Sequence, residues 1–327
     1  MIRLWKVVAL LALSLAVGLV PAEAQVQLKL AHAAPESDLQ QILALFIQQE
    51  VSARSQGEMA VYVFPQGQLG NDAQMIEGAQ AGVIDIVISG LNNFTGLVPE
   101  AAVFELPFIF PDRQAAYKVL DGPIGSSVAE KFTPHGLKLL GYPENGYRNI
   151  TNNRDPIRKP EDLTGLQMRV NNAAPLNQMF TLFGAKTQQI PVTELYAALE
   201  AGLVDAQDHP LGIVLSYRFH EVQKYLSLTQ HAYSPLAIMM SRKSFDGFKP
   251  EAQQMLLDVV KAAIDQQRRL SRAQEEEILS LLAQKGMIIN RDVDTTAFQK
   301  AVRPVWDGVL KTRGAADLIH QILNASQ

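Results

Sequence analysis

Apolar and polar residues alternate along Val26 to Ala31, the period of two that predicts a half-buried strand. The period then changes. Leu39, Ile42, Leu43, Phe46 and Ile47 share one helical stripe, so a helix follows, capped by Ser37 or Asp38 and stopped at Gly57. Met59 to Phe64 reads as a second strand. Asn71 or Asp72 caps a helix from about Ala73 to Ala81, closed by Gly82, and Val83 to Ile88 reads as a buried third strand. This order predicts a mostly parallel sheet with covering helices, an α/β fold. It recurs further on. Gly165 to Val170 reads as a strand, Pro175 to Phe183 as a helix, and Thr193 as the cap of a helix ending at Gly202. Ala81-Gly82-Val83-Ile84-Asp85 and Ala201-Gly202-Leu203-Val204-Asp205 match, which points to two similarly built lobes, with convergence on a common helix–strand junction as the alternative. Lys249 to Ala283 carries one helical period over some 35 residues, long enough to cross between lobes, with Gln267-Arg268-Arg269 and Glu275-Glu276-Glu277 at polar positions that read as solvated faces.

The first 24 residues stand apart. Arg3 and Lys6 precede an apolar run of 14 residues, Val7 to Val20, then Pro21 and Ala22-Glu23-Ala24. The run is short for a bilayer and reads as a cleaved secretory signal, so residues 1–24 are expected to be a signal peptide and the mature chain periplasmic. The 327 residues hold no cysteine, which excludes disulfides and thiolate chemistry. Lys and Arg number 29 against 33 Asp and Glu, which gives no electrostatic case for nucleic acid.

Enzyme signatures are missing: there is no nucleophile elbow, P-loop or Gly-x-Gly-x-x-Gly, and the six histidines are not spaced as metal ligands. No catalytic residue, cofactor or metal is therefore expected. Two arginines carry chemistry instead. In Leu166-Gln167-Met168-Arg169-Val170 the alternation points Arg169 away from the apolar face, just before the polar strand end Asn171-Asn172. Arg148 lies in the polar stretch from Glu144 to Asn152. Two guanidinium forks on neighbouring strand ends suit one carboxylate; the alternative is that each pairs with a structural Asp or Glu.

Several segments, taken in order, resemble one family over about Leu28 to Leu310. They are Gln68-Leu69-Gly70, the run from Pro99 to Phe108, Gly146-Tyr147-Arg148, the run from Leu163 to Val170, Glu194 to Leu199, and Val204-Asp205-Ala206-Gln207-Asp208-His209-Pro210. The chain resembles the DctP-like solute-binding subunits of tripartite ATP-independent periplasmic (TRAP) transporters. The resemblance implies a two-lobed clamshell with a hinge, residues 25–145 with 235–273 forming one lobe and 146–234 with 274–327 the other. It implies capture of a small carboxylate and delivery to one small and one large membrane subunit of a sodium-driven transporter. Arg169 matches the main carboxylate partner, Arg148 a supporting arginine and Asn172 a polar contact. His209 stands where the family often has Asn, and would make affinity pH-sensitive if it faced the ligand. Asp72 matches a position that can face the ligand, and serves equally well as a helix cap. Gly90, Ala33 and Val192 stand where sialic acid binders carry polar or aromatic residues, which argues for a smaller or more apolar acid. A sensory binding module and a secreted hydrolase or lyase are the competing readings.

Overall fold

In the computed structural model, which describes residues 25–310 and 314–326, each unit is built as its chain order requires. The expected signal peptide, residues 1–24, lies outside the described residues. The first unit runs β1 (Val26–His32), α1 (Leu39–Arg54), β2 (Met59–Phe64), α2 (Asp72–Ala81) and β3 (Ile86–Gly90). Asp38 accepts from the Gln40 N–H ahead of α1, and Asn71 forms a reciprocal capping box with Gln74 ahead of α2. β1 pairs parallel with both β2 and β3. After α3 (Arg113–Leu120), α4 (Pro123–Glu130), β4 (Leu137–Gly141) and β5 (Glu144–Asn152) comes the second unit. It runs β6 (Gln167–Val170), α5 (Ala174–Leu182), β7 (Lys186–Gln189), α6 (Val192–Glu200) and β8 (Ala206–His209). Here β6 pairs parallel with β7 and β8, so the strand orders β2-β1-β3 and β7-β6-β8 repeat one another.

The two matching junctions are alike bond for bond. Gly82 and Gly202 sit at φ 73° and 70°. The N–H groups of Val83 and Leu203 donate to Gly78 and Ala198, both at 2.9 Å, and those of Asp85 and Asp205 donate to the neighbouring strand at Lys29 and Gln167. A side chain resists that φ, which is why glycine stands at both turns. The turn also corrects a boundary: residues 83–85 belong to it, and the strand starts at Ile86 rather than Val83. Likewise Pro191, not Thr193, occupies the cap position of α6.

The remaining elements are α7 (Leu211–Ser216), β9 (Tyr225–Ser241), α8 (Arg242–Asp246), α9 (Pro250–Gln284), β10 (Ile288–Asn290), α10 (Thr295–Ala301), α11 (Arg303–Leu310) and α12 (Ala315–Ala325). β9 serves both units: it pairs antiparallel with β5 through residues 225–235, then with β3 and β4 through 236–241. α9 does the same by packing. Leu256, Val260 and Ile264 join the core over β1–β3, while Leu279 and Leu282 join the core of α6 and α7. The long inter-lobe helix is therefore present. Its middle is not the solvated face the sequence implied, because Gln267 and Arg268 are only 2% and 5% exposed. Gln267 exchanges two hydrogen bonds with the Glu144 backbone, at 3.1 and 2.6 Å, and Arg268 donates to Asp121 and the Tyr142 carbonyl. Burial is offset by these bonds, which leave only the Arg268 Nε without a partner, and the helix is thereby stitched to β5 where the chain crosses between units. α12 returns to pack on α3, α4 and residues 99–105. No helix among the described residues is long and apolar enough to cross a membrane.

Candidate functional site

The C-terminal ends of β3, β6, β7 and β8 converge on one cavity of about 460 Å³, the location at which open α/β sheets hold ligands. Arg169, Arg148, Asn172, His209, Asp72 and Gly90 all stand on its wall. Gly90 is there for space: a Cβ would collide with the Asn92 side-chain oxygen. Two hydrogen bonds join the units, one on the cavity wall and one in the neighbouring cleft. Asn172 Nδ2 donates to Asn93 Oδ1 at 3.1 Å, and Ser216 Oγ donates to Asp38 Oδ2 at 2.7 Å.

The two arginines differ in kind. β5 and β8 pair so that Ile150 lies opposite Asp208 and Thr151 opposite Gln207, which places Asp208 on the face shared with Arg148. Arg148 Nε and Nη2 grip both Asp208 carboxylate oxygens, and Nη2 also reaches the Asp208 carbonyl; Nη1 donates to Ser234 Oγ at 3.4 Å. Its fork is committed to this buried ion pair, so of the two readings its sequence allowed, a shared carboxylate or a structural acid, the second holds for Arg148. The arginine holds the Asp208 carboxyl well below the usual carboxylate range against the opposing effect of burial. Arg169 is 3% exposed and has no acidic partner among the described residues. Its Nε donates to the Ile190 carbonyl at 2.9 Å, and Nη1 lies 3.4 Å from His209 Nε2. Burial, then repulsion by Arg148, lowers its pKa to about 10 against the longer-range pull of Asp208 and Asp72, so it stays charged at neutral pH and stands on the cavity wall without an ion-pair partner.

His209 has its pKa pushed well below the usual value, first by burial and then by Arg148 and Arg169. Both effects favour the neutral imidazole. Behind Arg148, Glu105 is 1% exposed and neither carboxyl oxygen has a hydrogen-bond partner. Burial raises its pKa to about 7, with Arg148 opposing and Asp208 reinforcing the rise. A raised value means the folded state binds this proton more tightly. The contribution to stability is full below the ordinary carboxylate range and is lost as pH rises through about 7. Glu105→Gln is therefore expected to stabilise the fold more at pH 8 than at pH 5, read by denaturant melts; a larger gain at pH 5 contradicts this.

The rest of the wall is amide-rich. Gln40, Asn71, Asn92, Asn93, Asn145, Asn171 and Gln189 line it with Asp72 and Tyr217. Asn171 was legible as part of a polar strand end and Asn71 as a cap, whereas Gln40, Asn92, Asn93, Asn145 and Gln189 carry no local signal until the fold gathers them. Asp72 accepts from Ser89 Oγ at 2.6 Å, and burial raises its pKa, opposed by that bond and by Arg169. Ala33, Ala73, Ile190, Pro191, Val192, Ile213 and Leu236 complete the wall, which is thus mixed, with amides as its commonest polar groups.

A two-lobed fold with a polar chamber between its strand ends, and a buried arginine on the chamber wall that has no ion-pair partner among the described residues, is the arrangement of a solute-binding protein. Comparison with known proteins makes this specific: residues 30–312 match the family model described as bacterial extracellular solute-binding protein, family 7 (DctP), and the chain belongs to that family. It is 40% identical over 276 residues, 84% of each chain, to the 2,3-diketo-L-gulonate-binding periplasmic protein of Escherichia coli. A TRAP periplasmic solute-binding protein from Polaromonas, solved with D-erythronate, superposes at TM-score 0.89 with 31% identity, covering 91% of this chain and 98% of that one. Another from Sulfurospirillum deleyianum, with bound succinate, superposes at 0.86 with 30% identity over 91% and 98%.

Proposed function

We propose that this protein captures a polyhydroxylated monocarboxylate, a sugar acid, in the periplasm and delivers it to the membrane subunits of a TRAP transporter. The observation that carries the reading is the buried Arg169, without an ion-pair partner, set in a chamber whose polar wall groups are mostly amides, with Asp72 among them. Arg169 takes the carboxylate through the hydrogens that Ile190 and His209 leave over, a charge-assisted contact that water exclusion strengthens. The amides, each both donor and acceptor, take the hydroxyls, and Asp72 accepts from one of them. Arg148, Asn172, His209 and Gly90 shape the wall around that ligand. In this reading the lobes are residues 25–145 with 235–273 and residues 146–234 with 274–327, with α12 laid back on the first. Ligand favours the closed form because only there do both lobes touch it.

The same geometry disfavours a dicarboxylate. A second carboxylate has no free cation to meet, since Arg148 is neutralised by Asp208, and it would approach Asp72. Calorimetric titration of the mature protein with four- and six-carbon aldonates and with succinate tests this. An aldonate is expected to bind at least about a hundredfold tighter than succinate, the cost of an unpaired charge in a closed site. Succinate binding as tightly as the best aldonate contradicts the reading.

A further inference from the structure

The chain of side chains behind His209 is directional, and its direction can be worked out from one end. Gln223 Nε2 donates to two backbone carbonyls, Val222 at 3.2 Å and Asp205 at 3.4 Å, which only accept. Its Oε1 is therefore the atom facing Thr151, whose hydroxyl donates to it at 2.8 Å. With that hydrogen committed, Thr151 Oγ1 receives from Gln207 Nε2 at 2.7 Å. Gln207 must then turn its carbonyl oxygen to His209, and a carbonyl oxygen in hydrogen-bond contact with Nδ1 requires the proton on Nδ1. All four residues are buried, and each of these contacts is direct. In the neutral ring Nε2 is left with its lone pair, and it faces Arg169 Nη1.

We infer that Gln207, Thr151 and Gln223 are positioning residues: they fix the proton of His209 on Nδ1 so that Nε2 accepts from Arg169 and aims its guanidinium into the chamber. This rests on Arg169 being the carboxylate partner. With Ile190 O on Nε and His209 on one Nη1 hydrogen, both Nη2 hydrogens and the other on Nη1 are left for a ligand. The opposite tautomer would set an N–H against the guanidinium, and the fork would swing away. The charged groups around the imidazole are Arg169 from β6, Arg148 from β5 and Asp208 beside it on β8, with the Phe219 ring covering it at 5.7 Å between centroids. Two cations near the ring leave it no reason to take a second proton.

Two measurements test this. Long-range ¹H–¹⁵N correlation on the ligand-free protein is expected to show His209 protonated on Nδ1 and bare on Nε2 from pH 6 to 8; a proton on Nε2 overturns the inference without touching the ligand assignment. Gln207→Glu puts a carboxylate against Nδ1 that draws a second proton onto the ring. Affinity for the best-binding aldonate is then expected to fall about fivefold or more from pH 8 to pH 6, while wild type changes less than about twofold. A merely structural Gln207 would weaken binding equally at every pH, and a flat profile in the variant overturns the inference. If Arg169→Met binds as wild type does, the ligand assignment fails separately.

Discussion

Arg169→Met loses ligand binding by at least about a hundredfold and leaves the ligand-free protein as stable as wild type or more so. Both halves follow from one fact, that the guanidinium is buried without an anion. In the complex the ligand carboxylate is its counter-charge, and removing one partner of a desolvated, hydrogen-bonded pair costs about 3–5 kcal/mol. In the empty protein there is no pair to lose. The lowering of its pKa to about 10 means that folding disfavours the charged form, a penalty of about 3 kcal/mol that is fully present at pH 7 and relieved only above pH 10. Methionine fills similar space without that penalty. Calorimetric titration and thermal melts of the same preparation read both halves. A variant that neither binds nor stays folded would make Arg169 a structural residue.

Arg148→Met behaves in the opposite way: it costs about 3–5 kcal/mol of folding stability before any ligand is added. The substitution strips Asp208 of bonds to both carboxylate oxygens and leaves it 1% exposed with only His231 Nε2, at 3.1 Å, beside it. The melting midpoint is expected to drop by on the order of 10 °C. Replacing both partners, as Arg148→Met with Asp208→Leu, is expected to recover much of the loss, because two apolar groups leave no orphaned charge. If Arg148→Met melts with wild type, its fork is not committed to Asp208, and the distinction between the two arginines collapses.

The first unit was legible because its signals are local. The period of α1, the Asp38 cap and the Asn71–Gln74 capping box lie within a few residues of what they control. β9 was not, since a strand buried on both faces that changes partners midway shows no alternation. Gln267 and Arg268 misled for a related reason. A helical period marks them as polar but cannot show that the Glu144 and Tyr142 backbone arrives to cover them. The site divides along the same line. Arg169 could be read from the alternation of its own strand, whereas the pairing of Arg148 depends on a strand register 60 residues away. The Gln223–Thr151–Gln207–His209 chain draws on three segments and exists only once β5 and β8 are side by side.

The account stands on Arg169 as the group that receives the ligand, and a crystal structure with the best-binding aldonate tests that most directly. The account predicts both carboxylate oxygens within hydrogen-bond distance of Arg169 Nη1 and Nη2, with the hydroxyls on the amides and Asp72, and with Arg148 still on Asp208. A carboxylate seated on Arg148 or among the amides, with Arg169 still turned only to His209 and Ile190, would contradict it.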